Sequence, residues 1–347
     1  MKRIWIYAWP VLLVSACHYS DTNIPKQTPF PSPPQEASAS ADDLLGRAQA
    51  MFKPISKADG AMGVGITPEQ VTLGKQLYLD TRLSLTGNNS CNSCHNLKTF
   101  GVDNEVTSEG DAGKRGDRNS PTSFNAALHF LQFWDGRAKD VEEQAGKPIL
   151  NPVEMAIPNE QYLVDKLKKV PEYSEAFAKA YPGQPDALTY ANIARAIAAF
   201  ERTLITPSRF DEYLNGKEDA LTADEKKGLE TFIRSGCTSC HNGALLGGNA
   251  FKKFGQVNDY RPLTGSKGND PGRMKVTGKA EDKDFFKVPS LRNIAKTHPY
   301  FHDGSVGDLG KAVKVMGKAQ LNKDLSDAEV KSIVTFLHTL TADIPQH

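Results

Sequence analysis

The stretch CNSCH, Cys91 to His95, returns as CTSCH, Cys237 to His241, and these two short runs decide how the chain is read. Two thiols three positions apart reach both vinyl groups of one porphyrin, and the histidine that follows is placed to ligate its iron. Cys-x-x-Cys-His is therefore the attachment motif of a c-type haem. A zinc site or a pair of disulfides would also use Cys-x-x-Cys in an exported protein, but neither requires a histidine directly after each pair. The repetition predicts two covalently bound haems, attached through Cys91, Cys94, Cys237 and Cys240, with His95 and His241 as iron ligands.

Outward from each motif the chain repeats a plan. Thr67-Pro-Glu-Gln-Val-Thr-Leu-Gly74 leads to Cys91 and Thr222-Ala-Asp-Glu-Lys-Lys-Gly228 leads to Cys237. Each begins with a threonine N-cap and an acidic first turn, so each predicts a helix running into a cysteine pair. Ile193, Ile197, Phe200 and Leu204 fall at helical spacing in an Ala-rich stretch, and Val330, Ile333, Val334, Leu337 and Leu340 do so near the end; both predict core helices. No run sustains period-two alternation. The fold class is all-α: two cytochrome c-like haem domains with long loops and little β. At 347 residues the chain is long enough for two cores. The first haem domain is expected over 42–205 and the second over 206–347. From Gly243 to Lys287 many Gly, Lys and Asp with weak periodicity predict one long surface loop.

The fifth cysteine stands apart. Met1-Lys2-Arg3 is a basic n-region and Ile4 to Ala16 an apolar run too short to span a bilayer comfortably, so 1–16 reads as an export signal. It ends in Val14-Ser15-Ala16-Cys17, which resembles the bacterial lipobox and predicts a lipid anchor at Cys17 on a protein of the periplasm; a plain signal or an uncleaved anchor is the alternative. Residues 17–41, rich in Pro, Ser and Thr, cannot bury enough surface to fold and predict a tether reaching roughly 25 to 30 Å r.m.s.. The formal charge of +1, with acids and bases interspersed, gives no field that favours a nucleic-acid partner.

An iron with two strong protein ligands shuttles electrons, whereas one with an open sixth position can bind and activate a small molecule. A methionine opposite His95 or His241 would close a haem and raise its potential. Met51, Met62, Met155, Met274 and Met316 are all candidates, and the residues alone do not choose among them.

From about Ala61 to Ile344 the chain resembles the bacterial dihaem cytochrome c peroxidases. The similarity runs through both haem motifs, QFWDGR (Gln132 to Arg137), NPVEM (Asn151 to Met155), ARAIAAFERTLITP, PYFHDG (Pro299 to Gly304) and AVKVMGKAQL (Ala312 to Leu321). The resemblance implies a peroxidatic first haem on His95 and an electron-transfer second haem on His241 and Met316. It implies Glu154 as the distal acid/base that moves a proton between the peroxide oxygens, Gln144 as the distal amide, and Trp134 as the ring between the haems. Asn119, Thr297 and Pro299 match an interdomain calcium site, the last two through backbone carbonyls. Hydrogen peroxide would be the substrate, a small cytochrome or copper protein the electron donor, and a homodimer the common assembly.

The match fails at one position. Many relatives carry a distal histidine in the loop after the first haem, a resting ligand that must leave before peroxide binds. Here that position is Asp111, and no histidine lies between His95 and His129. The first haem is therefore expected to be five-coordinate or water-bound at rest, with no reductive activation step. His129, on a predicted helix, reads as structural, and His298, His302 and His338 have no ligand argument. The rival readings are a dihaem electron carrier and the related tryptophan-oxidising dihaem enzymes. The latter resemble this chain in haem spacing but use a tyrosine where Met316 stands.

Overall fold

The computed structural model of the chain describes residues 44–61 and 64–345. The expected signal, the Cys17 anchor and the tether lie outside them, as does Met62. In chain order the elements are α1 (Leu44–Met51), α2 (Pro68–Leu79), α3 (Cys91–Cys94), α4 (Val141–Leu150), α5 (Glu160–Lys168), α6 (Pro171–Ala180), α7 (Tyr190–Glu201), α8 (Arg209–Leu214) and α9 (Ala223–Arg234). They continue as β1 (Phe251–Lys253), α10 (Tyr260–Thr264), α11 (Met274–Thr277), β2 (Phe285–Lys287), α12 (Leu309–Leu321) and α13 (Asp327–His338), joined by loops with short 3-10 turns. The expected all-α class holds. Among the described residues no helix is long and apolar enough to cross a membrane.

The duplicated plan is visible at its caps. Thr67 Oγ1 accepts from the Gln70 N–H at 3.2 Å while the Gln70 side chain accepts from the Thr67 N–H at 3.2 Å. Thr222 and Glu225 repeat the reciprocal pair at 3.3 and 2.8 Å, each satisfying two otherwise orphaned donors at a helix start. The helices so launched, α2 and α9, then cross α7 and α13 very closely. A Cβ on Gly74 would sit 1.8 Å from the Ala196 carbonyl oxygen, and one on Gly228 would sit 2.2 Å from that of Ser332. Only glycine permits either crossing, and the two crossings set the two cores.

One core gathers Leu73, Leu77, Phe124, Ile149, Ile193, Ile197, Phe200 and Leu204. The other gathers Phe210, Leu229, Phe232, Ile333, Phe336, Leu337 and Leu340. Leu204 and Leu340 are fully buried although α7 and α13 end before them, so the periodic pattern outlasts the helix. Leu44, Ala48 and Phe52 from the N-terminal end of the described chain pack in the second core, where Phe52 meets Phe210 edge-on at 5.4 Å between centroids. Thr206, between the two clusters in sequence, anchors a buried polar knot. Its hydroxyl accepts from Asn125 Nδ2 at 2.8 Å and Asn293 Nδ2 at 2.9 Å, and its N–H donates to Asn125 Oδ1 at 2.8 Å.

Two expectations need correction. The stretch from Gly243 to Lys287 is not one surface loop: β1 and β2 pair antiparallel, Phe251 opposite Lys287 and Lys253 opposite Phe285, while Phe254, Tyr260 and Phe286 are buried beside Trp134 and Met316. Three aromatic residues supply the core that weak periodicity conceals. His129 is not on a long helix; it caps a three-residue 3-10 turn, Ala126–Leu128, in extended conformation.

Candidate active site

The first Cys-x-x-Cys-His run forms the single turn α3, whose geometry fixes His95: its N–H donates to the Cys91 carbonyl at 2.9 Å. The Tyr78 hydroxyl, from α2, donates to the His95 carbonyl at 2.6 Å. The second run makes a tighter 3-10 turn, yet His241 N–H donates to the Cys237 carbonyl at the same 2.9 Å. Each histidine is thereby held one turn beyond the first cysteine of its pair.

Cys91, Cys94 and His95 line a cavity of about 750 Å³, together with Gln144, Glu154, Arg118 and Glu201. The structure thus brings the sequence-predicted residues of the first haem into one space. Gln144 comes from α4. Glu154 follows it, in a loop where Asn151 Nδ2 donates to Glu154 Oε1 at 2.6 Å and the Asp111 N–H donates to the Glu154 carbonyl at 2.7 Å. The Asp111 carboxylate is engaged elsewhere. It is buried and accepts from Ser84 Oγ at 2.7 Å, from Thr86 N at 2.7 Å and Oγ1 at 2.9 Å, and from Asn88 N at 3.1 Å. Burial pushes its pKa up, but these donors outweigh burial and hold it below the usual carboxylate value.

Cys237, His241 and Met316 line two adjoining hollows of about 1170 and 710 Å³, shared with Trp134, Phe301 and Lys287. Of the methionine candidates among the described residues, Met316 is the one in the space that Cys237 and His241 occupy; Met155 lines the first cavity instead. His241 Nδ1 lies 2.8 Å from the Leu246 carbonyl oxygen, which orients the ring. Trp134 is pinned at both ends: its Nε1–H donates to the Asn119 carbonyl at 2.9 Å and its carbonyl accepts from the Lys287 N–H at 2.7 Å. Asn119, Thr297 and Pro299 also border the larger hollow. The Asn119 Nδ2 donates to the Glu105 carbonyl at 2.9 Å, which turns its side-chain oxygen the other way.

His129 and His302 are structural in this geometry. Lys287 Nζ lies 2.7 Å from His129 Nδ1 and donates to the Leu131 carbonyl at 2.9 Å. Burial, then the lysine, depresses the His129 pKa, and burial lowers that of Lys287 to about 7. His302 stacks on Phe286 at 4.1 Å. Sequence reading passed over Lys287, Arg118 and Glu201. Arg118 ties the first cavity to the rest of the molecule, its guanidinium reaching Asp135 at 2.6 Å and Asp270 at 2.6 and 2.8 Å. Glu201 was detectable: it lies four positions after Ile197, on the buried face of an otherwise apolar helix.

These residues fit two haems. The four cysteines are free thiols, so neither pair is closed as a disulfide. Among the described residues no three acidic, cysteine or histidine side chains converge on a metal position. Each pair of thiols instead lines one cavity together with its own half-buried histidine, the arrangement that a porphyrin attached through both cysteines needs. Fold and sites together define a c-type cytochrome with two haem sites, one lined by carboxylates and an amide and the other by a thioether and apolar side chains.

Comparison with known proteins narrows the class. The profile of the family described as di-haem cytochrome c peroxidase matches residues 68–219. The chain is 47% identical over 310 residues to the cytochrome c551 peroxidase of Pseudomonas aeruginosa, covering 89% of each, and 47% identical over 285 residues to that of Nitrosomonas europaea, covering 81% of this chain and 83% of the relative. A solved MauG-like protein associated with microbial copper homeostasis superposes with a TM-score of 0.71 at 28% identity, covering 84% of this chain and 93% of that one. The chain belongs to the di-haem cytochrome c peroxidase family; it is a peroxidase with two c-type haems.

Proposed function

We propose that this protein reduces hydrogen peroxide to water in the periplasm, with electrons from a small cytochrome or copper protein, and that the cavity holding His95 is where peroxide binds. The observation that carries the reading is the sharing of that cavity by His95, Gln144 and Glu154, while His241 shares its space with Met316. When bound, the two haems supply the redox chemistry: binding of peroxide at the first iron and storage of an electron at the second.

The chain's own residues do the rest. Glu154, held by Asn151 and by the Asp111 backbone, takes the proton from one peroxide oxygen and returns it to the other, the oxygen that leaves as water. The Gln144 amide donates a hydrogen bond that orients the substrate. Trp134 stands in the partition beside the second site as the coupling ring. Met316 would hold the second iron together with His241, and its presence in that hollow weighs against the tryptophan-oxidising reading, in which a tyrosine would stand there. Asn119, with the carbonyls of Thr297 and Pro299, would hold calcium at the border of the larger hollow. We assign the first haem domain to the core built on α2 and α7 and the second to that built on α9 and α13, with α1 belonging to the second. The lipid anchor at Cys17 and a homodimer complete the proposal.

The first site works without losing a distal ligand. Where relatives place a histidine, the Asp111 carboxylate is spent on the 84–88 turn, so no side chain from this loop position reaches toward the cavity. Absorption and EPR spectra of the oxidised protein, followed by peroxide addition with and without half-reduction, test the whole reading. A high-spin first haem and turnover without prior reduction are expected. Two fully ligated irons at rest, or no turnover in either state, overturn it.

A further inference from the structure

Reducing peroxide to two waters consumes two electrons and two protons. Glu154 moves a proton that the peroxide already carries, so it adds none. Both net protons must enter the cavity from elsewhere, and the described residues contain a second acid suited to pass one on. Glu201, the last residue of α7, lines the same cavity as His95, Gln144 and Glu154. It is 7% exposed, and its Oε2 is buried without a hydrogen-bond partner. A buried carboxylate lacking a partner is strongly disfavoured, whereas the neutral acid is a tolerable burial and a ready donor.

We propose that Glu201 is a second acid of the peroxide cavity, a protonated carboxyl that delivers one of the two net protons to the peroxide oxygen that stays behind when the first water leaves, on its way to becoming the second water. Its O–H bond breaks as a water O–H forms, and the carboxylate is reprotonated from solvent. The electrons come from the donor protein already invoked, since this inference rests on the peroxidase reading.

On balance the surroundings favour the neutral form. Burial pushes the Glu201 pKa up to about 8, the charge of Glu142 on α4 pushes the same way, and Arg202 opposes them more weakly. Arg202 is already engaged with Glu142, at 2.9 Å to each carboxylate oxygen. Tyr78 from α2 and Cys91 from α3 face Glu201, and burial raises the pKa of both, so neither offers a charge at neutral pH. Across the cavity stand Glu154 and Glu109, with Arg118 bound to Asp135 and Asp270. Glu142, partly exposed, leads from this cluster toward solvent.

The test is infrared and kinetic, on the haem-loaded protein. Wild type should show a neutral-carboxyl carbonyl band at pH 7 that titrates away near pH 8. Glu201→Gln should lose that band and keep its haem spectra. Its peroxide turnover should fall roughly tenfold, less than the ~10²–10⁴ expected for loss of a primary acid/base, and the alkaline limb near pH 8 should disappear. Glu201→Asp should restore part of the rate and a shifted limb. Absence of any such band in wild type, its persistence in Glu201→Gln, or an unchanged rate and pH profile in that variant overturns the inference. The wild-type titration decides even if no variant folds. Failure of the peroxidase reading looks different: wild type itself would then turn over no peroxide.

Discussion

The two cavities begin from the same five-residue motif and the same 2.9 Å hydrogen bond, and they end as opposites. Around His95 the walls bring in Gln144, Glu154, Glu201 and Arg118; around His241 they bring in Met316, Phe301, Leu337 and Ile333. The lesson is that the haem motif sets a ligand and an attachment, whereas the helices packed against it set the chemistry. Here α4 supplies an amide, the loop after it one acid and α7 another, and α12 and α13 supply a thioether and aliphatic walls.

The contrast can be broken from either side. The largest effect is expected from Glu154→Gln, which leaves the first cavity polar but removes its proton shuttle: peroxide turnover should drop by ~10²–10⁴ with both haem spectra intact. A loss under tenfold would mean that the polar walls matter less than the open iron. Met316→His sharpens the contrast, because it keeps the second site closed while exchanging sulfur for nitrogen. Its potential should fall by on the order of 0.1–0.3 V within the ~0.8 V span that axial ligands command, and donor-driven turnover should fall with it. An unchanged potential by redox titration would show that Met316 is not the ligand.

The smallest effect is expected at Asp111, where the resemblance leads one to expect a histidine. Asp111→Asn should cost about 1–3 kcal/mol of stability through lost acceptors for Ser84, Thr86 and Asn88, without altering the resting spectrum. Because the folded protein holds this carboxyl below its unfolded value of ~3.9, its stabilisation is full above that pH and is lost as acid protonates it. The gap between wild type and variant in denaturant titrations should therefore narrow below about pH 4. A change in the first haem's ligation instead would mean that residue 111 acts at the iron.

Much of this architecture could be read directly from the chain. The paired threonine caps and the α7 and α13 periodicities are local signals, and the caps and helices form, although α2 stops at Leu79, short of Cys91, and Leu204 and Leu340 lie past the ends of their helices. Long-range matters were hidden. Nothing in Leu44, Ala48 and Phe52 says that they pack with Phe210 and Phe336 rather than with their sequence neighbours. Asp111 looked like a missing ligand, and its four hydrogen bonds to the 84–88 turn became apparent only in three dimensions. Glu201 shows the opposite failure, because its helical phase was legible and its acid was not weighed. The Thr297 and Pro299 carbonyls carry no side-chain signature at all, so only resemblance could suggest them.

Trp134 carries a last consequence. A residue whose indole nitrogen is tied to Asn119 and whose backbone carbonyl is tied to Lys287 is a fixed spacer with no hinge. On the proposed role of Trp134, traffic between the two centres through such a ring would be governed by span and overlap, not by the waiting time of a swinging door. Cooling or thickening the solvent should then slow delivery by the donor long before it slows exchange inside the molecule.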